Sequence, residues 1–224
     1  MGQYYLGARI TEKNIDGESR LNLDLYSPWR ADSGLKLMEF AYIGDTFADA
    51  MTNLARESPP WRHGVGPDGV RLALIGDYAE EGMIGKGHMT DWELCNARDA
   101  IRIANSSYGW MLIKDIPATG LDLSRDRLCA IDRDMGEYVR LYGLHKEEWG
   151  GTINPLMLLI AVGNGQGGGD YVGANKDMAG RWAFHRIVVV PQADLDADPG
   201  KYGNPTLIDP GFTEDRRRDG DEED

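Results

Sequence analysis

The sequence of 224 residues is poor in cysteine and has no long apolar run. Its two cysteines, Cys95 and Cys129, lie far apart and in no C-x-x-C spacing, which excludes a disulfide framework and a zinc knuckle. Cys95 falls on the apolar side of a predicted helix and is expected to be a buried free thiol. No signal peptide is recognisable, and the longest apolar run is too short to span a bilayer. We therefore expect a reduced, cytoplasmic setting.

Positive charge is also scarce. The sequence has 24 lysines and arginines but 37 aspartates and glutamates, which gives a formal net charge of −13. A protein that follows a nucleic-acid backbone needs a basic surface, and an anionic membrane repels an acidic protein. A basic protein surface would attract it, in a manner that weakens with salt. The charge therefore predicts a protein partner with a basic surface, no direct binding to a nucleic-acid backbone and no membrane. The alternative is that the charge only keeps the protein soluble.

Signatures of catalysis and of metal binding are missing as well. The four histidines have no i, i+3 or i, i+4 pairing and no cysteine nearby, so a zinc site is not indicated. A G-x-S-x-G nucleophile elbow is absent. The acidic stretch 194–200 begins like a calcium loop, but Pro199 and Pro205 stand where that loop needs glycine and glutamate. We expect no metal and no cofactor, and the sequence leaves open whether the protein is an enzyme.

What is present is the composition of a globular domain, with 42% hydrophobic and 27% charged residues. Helical periodicity predicts a helix over 46–56, and a capping box of Thr90 and Glu93 begins another that ends near Asn105. Alternating apolar residues predict strands, of which the last two form a hairpin around Gly136: 3–10, 21–26, 35–43, 70–75, 109–116, 127–132 and 137–142.

These elements predict the fold class α+β. We expect a single domain over residues 1–212, with a mostly antiparallel sheet and two or three short helices packed on it. Residues 213–224 contain no large apolar side chain and are expected to form an acidic, disordered tail.

The most distinctive motif is AVGNGQGGGDYVG, residues 161–173. Gly163, Gly165 and Gly168 fit G-x-G-x-x-G, the spacing of loops that hold a dinucleotide pyrophosphate. Such a loop follows a strand and opens a helix. The motif therefore indicates a dinucleotide site only if a strand precedes it and a helix follows it.

The neighbouring residues favour a different structure. Asn154 is a good N-cap and Pro155 suits the first helical position, while Gly163 suits the left-handed residue that closes a helix. We therefore predict a helix over 155–162. Its partially negative C-terminal end would meet the loop and disfavour a phosphate.

The glycines allow close backbone approach, either to another segment or to a ligand. A structural loop is favoured, with Asp170 accepting backbone N–H bonds and Tyr171 packing over it. If the loop binds a ligand, Asp45 or Asp77 could contribute, and the main candidates for ligand-binding residues are Gly165, Gly167, Gly168, Gly169, Asp170, Tyr171, His185 and Arg186.

Two of these candidates, His185 and Arg186, are adjacent in an apolar stretch that is expected to be a strand. Alternation places them on opposite faces, so that at most one reaches the loop. A single cleft lined by Asp170, His185 and Arg186 would favour a ligand-binding protein over a structural loop.

Several segments resemble a family of uncharacterised bacterial and phage proteins whose members begin MGQYYK and carry a GNGxGGGDYxG loop followed by tryptophan and R-I. The chain departs from that pattern after MGQYY, where TEKNIDGESRLNLDLYSPWRADS is longer and more acidic than the family's lysine-rich hairpin. The resemblance implies a cytoplasmic origin and one domain, and no mechanism. It rests on MGQYY, GLKLMEFAYIGDTF, GDYAEE, CAIDRDMGEYV, INPLMLLIAVGNGQGGGDYVG and GRWAFHRIVVV.

Two functions remain open. The first is a non-catalytic binding protein that docks on another protein as a phage or bacterial regulator or inhibitor; it is favoured by the net charge and by ten tyrosines and six tryptophans. The alternative is an enzyme or a binder of a small, nucleotide-like ligand that uses the glycine loop 163–173.

Overall fold

The structure is a computed structural model that describes residues 3–15, 18–57, 65–80, 91–106, 109, 111–117, 123–163 and 170–213. For 12–15, 18–21, 91–95 and 124 it describes the backbone alone. Four candidate glycines (Gly165, Gly167, Gly168 and Gly169), the Thr90 cap, the Cys95 side chain and residues 214–224 of the predicted tail lie outside these parts. Among the described helices, none is both long and apolar enough to cross a membrane.

The described strands form one mixed sheet. They are β1 (Tyr5–Ile15), β2 (Glu18–Tyr26), β3 (Val70–Gly76), β4 (Ile113–Lys114), β5 (Leu128–Asp132), β6 (Glu137–Arg140), β7 (Ala161–Val162), β8 (Arg186–Pro191) and β9 (Thr206–Leu207). Their order is β4-β2-β1-β3-β8-β5-β6-β9, with β7 beside β3.

The class α+β fits this architecture, but the expectation of a mostly antiparallel sheet needs correction. The pairs β2–β4, β3–β7 and β6–β9 are parallel. Each of them joins only two residues per strand, a length too short to leave an alternating pattern in the sequence.

The first hairpin is longer than the predicted strands 3–10 and 21–26. β1 pairs with β2 from Gly7 and Tyr26 out to Ile15 and Glu18, whereas β3 pairs with β1 only over Tyr5–Ile10. Two residues, Asp and Gly at 16 and 17, connect the strands. An Asp-Gly pair between apolar runs is a strong hairpin signal, and it could have extended both predicted strands.

The described helices are short except for one. They are α1 (Leu37–Phe40), α2 (Thr46–Leu54), α3 (Asp91–Ala104), α4 (Leu123–Asp126), α5 (Pro155–Leu159) and α6 (Gln192–Ala197), together with 3-10 turns at Pro28–Ala31, Lys176–Met178 and Pro199–Tyr202. The helix predicted over 46–56 is confirmed as α2, and the one predicted to end near Asn105 as α3.

The strand predicted over 35–43 is wrong, because α1 occupies its centre. The Glu39 carboxylate accepts hydrogen bonds from the backbone N–H groups of Leu35 and Lys36, at 2.9 and 3.0 Å. These bonds satisfy donors at the start of a helix, which favours a helical turn over an extended chain.

The helix predicted over 155–162 is correct at its start and wrong at its end. The Asn154 side chain accepts from the Leu156 N–H, and Pro155 is the first helical residue. The helix ends at Leu159, after which Ala161 and Val162 run parallel to β3. Gly163 therefore follows a strand and does not close the helix.

The early end of α5 has a physical cause in the segment after the glycine loop. The backbone N–H groups of Gly180 and Trp182 donate to the carbonyls of Leu158 and Leu159, at 2.9 and 2.8 Å. These carbonyls would otherwise lack partners at the helix end. The segment thus stabilises the end of α5 and fixes where the loop begins.

The sheet is covered on both faces. Leu72 and Leu74 belong to the same buried cluster as Met51 of α2 and Leu156 of α5. The alternate residues of β3 point the other way, because successive strand side chains face opposite sides. Ala73 and Ile75 accordingly share a second cluster with Ala100 and Ile101 of α3.

Candidate functional site

The turn between β5 and β6 gathers charged side chains. Gly136 has the positive φ, +66°, that the hairpin prediction required. One carboxylate oxygen of Asp132 accepts from the backbone N–H groups of Asp134 and Met135, at 2.8 and 2.9 Å. The turn is therefore held by Asp132, the last residue of β5.

The other oxygen of Asp132 lies 2.6 Å from Nδ1 of His185, and both side chains are buried. Phe184, the residue before His185, is buried and has a φ of +67°. A left-handed backbone is uncommon for an aromatic residue, and here it directs His185 towards the turn.

Asp134 makes a second set of contacts in the same turn. Its carboxylate accepts from the Arg71 guanidinium at 2.9 Å, and from the side-chain Nε and the backbone N–H of Arg186 at 2.6 and 2.9 Å. Burial acts to raise the pKa of Asp134, but the hydrogen bonds from Arg186 and the charge of Arg71 outweigh it and hold the pKa below its usual value. Asp134 is therefore a carboxylate shared by two arginines.

Glu137, at the start of β6, adds a third acidic group. Arg181 donates two hydrogen bonds to its carboxylate, at 2.6 and 3.1 Å, and the Trp182 indole donates a third at 3.2 Å. The bond from Arg181 is the main cause that lowers the pKa of Glu137. We call Arg71, Asp132, Asp134, Glu137, Arg181, His185 and Arg186 the turn cluster.

A metal ion does not fit the turn cluster, although ligand atoms of Asp132, Asp134 and His185 lie within 4.8 Å of one another. The oxygens of Asp132 already accept from two backbone N–H groups and contact the His185 ring. Those of Asp134 accept from two guanidinium groups. A cation would have to displace these donors and face two positive charges. The cluster instead joins β3, β8 and the β5–β6 turn.

The alternation expected to place His185 and Arg186 on opposite faces does not describe this pair, whereas the expectation that at most one of them reaches the glycine loop is not contradicted. His185 precedes β8, and its neighbour Phe184 is left-handed, so strand alternation does not apply to it. Both side chains reach the same turn, where His185 contacts Asp132 and Arg186 contacts Asp134.

Asp170, at the exit of the glycine loop, contacts the first strand. Its carboxylate accepts a hydrogen bond of 2.7 Å from the Tyr5 hydroxyl. Burial first, then the hydrogen bond and charge of Asp170, and finally the charge of Asp77 raise the pKa of Tyr5. A Cβ atom on Gly163 would lie 2.5 Å from this hydroxyl. A side chain at this position would displace the Tyr5 hydroxyl or the Gln3 amide, so Gly163 permits the close packing against Tyr5.

Tyr171 binds the end of the described chain. Its hydroxyl donates to the Thr213 carbonyl at 2.9 Å and accepts from the Thr213 N–H at 3.0 Å. Its ring packs edge-on against Phe212, with centroids 5.2 Å apart. These contacts give Tyr171 a structural role in holding residues 212 and 213.

The structure does not bring Asp170 together with His185 and Arg186. Tyr5, the partner of Asp170, pairs with Gly76 on β3, and Arg186 pairs with Arg71 on the same strand. These two positions are five residues apart, which is roughly 16 Å of strand. The three residues therefore belong to two separate groups and line no common cleft.

The other two candidate carboxylates have backbone partners of their own. Asp45 caps α2 by accepting from the N–H groups of Phe47 and Ala48, and burial raises its pKa despite these bonds. Asp77, just after β3, is exposed and accepts from the Tyr4 N–H at 3.1 Å.

Two of the depressions on the described surface bear on these candidates. The larger, of about 250 Å³, lies beside β6 and is lined by Arg140, His145, Leu207 and Phe212, among others. The smaller, of about 100 Å³, lies at the end of β3. Neither is lined by Asp170, His185 or Arg186.

The most exposed of the described tryptophans is Trp29, with 73% of its surface accessible. It lies on the 3-10 turn Pro28–Ala31, whose Pro28 and Ala31 are buried. Backbone hydrogen bonds of 3.1 to 3.2 Å close this turn, among them those from Asp32 to Trp29 and from Ser33 to Pro28. The Trp29 indole is thus exposed to solvent on a turn that backbone hydrogen bonds close.

No family model, curated protein or solved structure matches this chain. The resemblance to bacterial and phage proteins therefore stays a prediction, and the function has to be argued from the chain itself.

Sequence reasoning missed five of the seven members of the turn cluster: Arg71, Asp132, Asp134, Glu137 and Arg181. Of these, the two aspartates left a local signal. The signal was present in DRDMG, residues 132–136, because an aspartate that opens a turn accepts backbone N–H bonds two residues on. Their partners could not be found in this way. His185 is 53 residues from Asp132, and no local pattern reports such a contact.

Proposed function

We propose that the protein is a non-catalytic binding protein that docks on a basic surface of another protein, as a cytoplasmic regulator or inhibitor in bacteria or phage. The observation that carries this proposal is the exposure of Trp29 on a closed, partly buried turn.

The energetics of interfaces support Trp29 as an anchor. Tryptophan is among the residues that contribute most to binding when an interface buries them. The turn that holds Trp29 is already ordered by its own hydrogen bonds, so little conformational entropy is lost on docking. The net charge of −13 adds attraction towards a basic partner and speeds the encounter.

The alternative, an enzyme or a binder of a nucleotide-like ligand at the glycine loop 163–173, has less support. Asp170 and Tyr171 are engaged with Tyr5 and Thr213, while His185 and Arg186 are engaged with Asp132 and Asp134. These contacts give each of these four residues a structural role that needs no ligand.

The proposal is tested by capture of partners from a bacterial lysate on the immobilised full chain at low and at high salt. We expect a basic protein that is retained at low salt, and whose retention Trp29→Ala lowers by at least tenfold. Trp149→Ala is the matched control, because Trp149 is 45% exposed but packs edge-on against Tyr42. Identical sets of captured proteins for wild type and Trp29→Ala would refute the proposal.

A further inference from the structure

The smaller depression, which we call the Asp77 hollow, has walls from three elements. Leu6 of β1, Ile75 of β3 and Leu35 supply apolar surface, and Ala104 and Asn105 line it from the end of α3. The Tyr4 ring, 48% exposed, forms part of its rim. The hollow is therefore lined by both apolar and polar side chains.

The lining of the hollow includes a carboxylate. Asp77 lines it and is exposed, and no ion pair joins its carboxylate to a cation among the described residues. The C-terminal end of α3, a helix of 14 residues, also lines the hollow. The C-terminus of a helix carries a partial negative charge from its last carbonyl groups. Two independent features of the fold thus favour a cation at this place.

A third negative group lies behind the wall. Burial, then the hydrogen bond and charge of Asp170, and then the charge of Asp77 all raise the pKa of Tyr5, which also lines the hollow. Both carboxylates are therefore close enough to Tyr5 for their charges to act on it.

We propose that the Asp77 hollow binds one lysine or arginine side chain of the partner protein. This inference rests on the proposed function and names the chemistry of the partner. The aliphatic stem lies along Leu6 and Ile75, since long basic side chains bury their methylenes on apolar surface. The charged head lies between the Asp77 carboxylate and the end of α3, with the Tyr4 ring available for a cation–π contact.

The size of the hollow agrees with a single side chain. Its volume is about 100 Å³, whereas pockets for drug-sized ligands and cofactors have about 300–1,000 Å³. A nucleotide is too large for it. A terminal guanidinium or ammonium group with part of its stem is not.

The test is a titration of the ¹⁵N-labelled full chain, followed by NMR, with acetyl-Gly-Lys-Gly-amide and with its arginine and norleucine counterparts. We expect amide shifts at Tyr4, Asp77 and Asn105 with the lysine and arginine peptides, and at least fivefold weaker binding of the norleucine peptide. Agmatine is the probe for a free small amine. If agmatine binds tighter than the peptides, the hollow is a site for a small amine and the assignment to a partner is overturned.

Substitutions at Asp77 distinguish the effect of its charge on peptide binding from an effect on the fold. Asp77→Asn keeps an oxygen that accepts the Tyr4 N–H, and should weaken the lysine peptide at least fivefold, while Asp77→Lys should abolish binding. Asp194→Asn is the matched control, because it removes one exposed carboxylate on α6, beyond the opposite end of β3. Equal affinities for wild type and Asp77→Asn would overturn the inference.

The titration and the capture experiment together distinguish a failure of the inference from a failure of the proposed function. Trp29→Ala should leave peptide binding unchanged. If no peptide binds but a Trp29-dependent partner is captured, the inference alone falls. If the peptides bind and nothing is captured, the proposed function falls, and the assignment to a partner falls with it.

Discussion

The hydroxyl of Tyr5 donates a hydrogen bond of 2.7 Å to the carboxylate of Asp170, across 165 residues of sequence. Tyr5 is buried at the start of β1 and Asp170 is buried at the exit of the glycine loop. The bond therefore joins the loop to the centre of the sheet. From the sequence, Asp170 could have contacted either a ligand or the protein itself. The structure shows that it binds the Tyr5 hydroxyl.

Tyr5→Phe should lower the free energy of unfolding by about 1.5–3 kcal/mol, the range for a hydrogen bond to a charged group. The ring and its packing remain, so the change isolates the hydroxyl. Urea denaturation should show a lower midpoint with an unchanged m-value. Tyr4→Phe is the control, and because Tyr4 is 48% exposed its effect should stay within about 0.5 kcal/mol. Equal midpoints for the two variants would contradict the role of this bond.

The same pair predicts a loss of stability at alkaline pH. The pKa of Tyr5 is raised in the folded protein, whereas a tyrosine in the unfolded chain titrates near 10. Above pH 10 the unfolded state therefore releases a proton that the folded state keeps, and stability falls as pH rises, by up to about 1.4 kcal/mol per pH unit for this group.

Tyr5→Phe removes this contribution, so its stability difference from wild type should shrink between pH 10 and pH 11 and stay constant from pH 7 to pH 9. Urea midpoints at each pH measure it. Other tyrosines with raised pKa, such as Tyr26 and Tyr202, titrate in both proteins and cancel. A difference that is the same at every pH would show that Tyr5 titrates like an exposed tyrosine.

Local chemistry in the sequence predicted several features correctly. Asn154 and Pro155 mark the start of α5 because an N-cap oxygen and a missing N–H each suit the first turn. Gly136 marks the hairpin because the turn needs a positive φ. In each case the residues that determine the structure are within a few positions of one another.

The features that the sequence did not predict depend on distant partners. The end of α5 is set by Gly180 and Trp182, about twenty residues further on. The parallel pair β3–β7 and the contact of Asp132 with His185 join still more distant segments. Periodicity reports which face of an element is buried. It does not report which other segment covers that face, so the turn cluster could not be assembled from it.

Asp132 and His185 should be energetically coupled. Each of Asp132→Ala and His185→Ala leaves a buried polar partner without its contact, and each should cost about 1–3 kcal/mol. The double variant should cost less than the sum, with a coupling energy above about 1 kcal/mol in a double-mutant cycle. The exposed pair Arg30–Asp115, with N and O 3.0 Å apart, is the control and should couple by less than about 1 kcal/mol. Additive effects at Asp132 and His185 would mean that the contact contributes nothing of its own.

Gly180→Ala should destabilise the protein more than Gly136→Ala, although both glycines have similar positive φ values, +77° and +66°. A Cβ atom at Gly136 meets nothing within 4 Å, whereas one at Gly180 would lie 2.6 Å from the carbonyl oxygen of Ala161. Gly136→Ala therefore carries only the cost of a left-handed alanine, about 1–2 kcal/mol. Gly180→Ala adds a clash with β7 and strains the bond from its N–H to Leu158, and should cost at least twice as much. The urea midpoints of the two variants measure this difference. Equal losses of stability would mean that the segment around Gly180 shifts away from β7 without penalty and does not fix the end of α5.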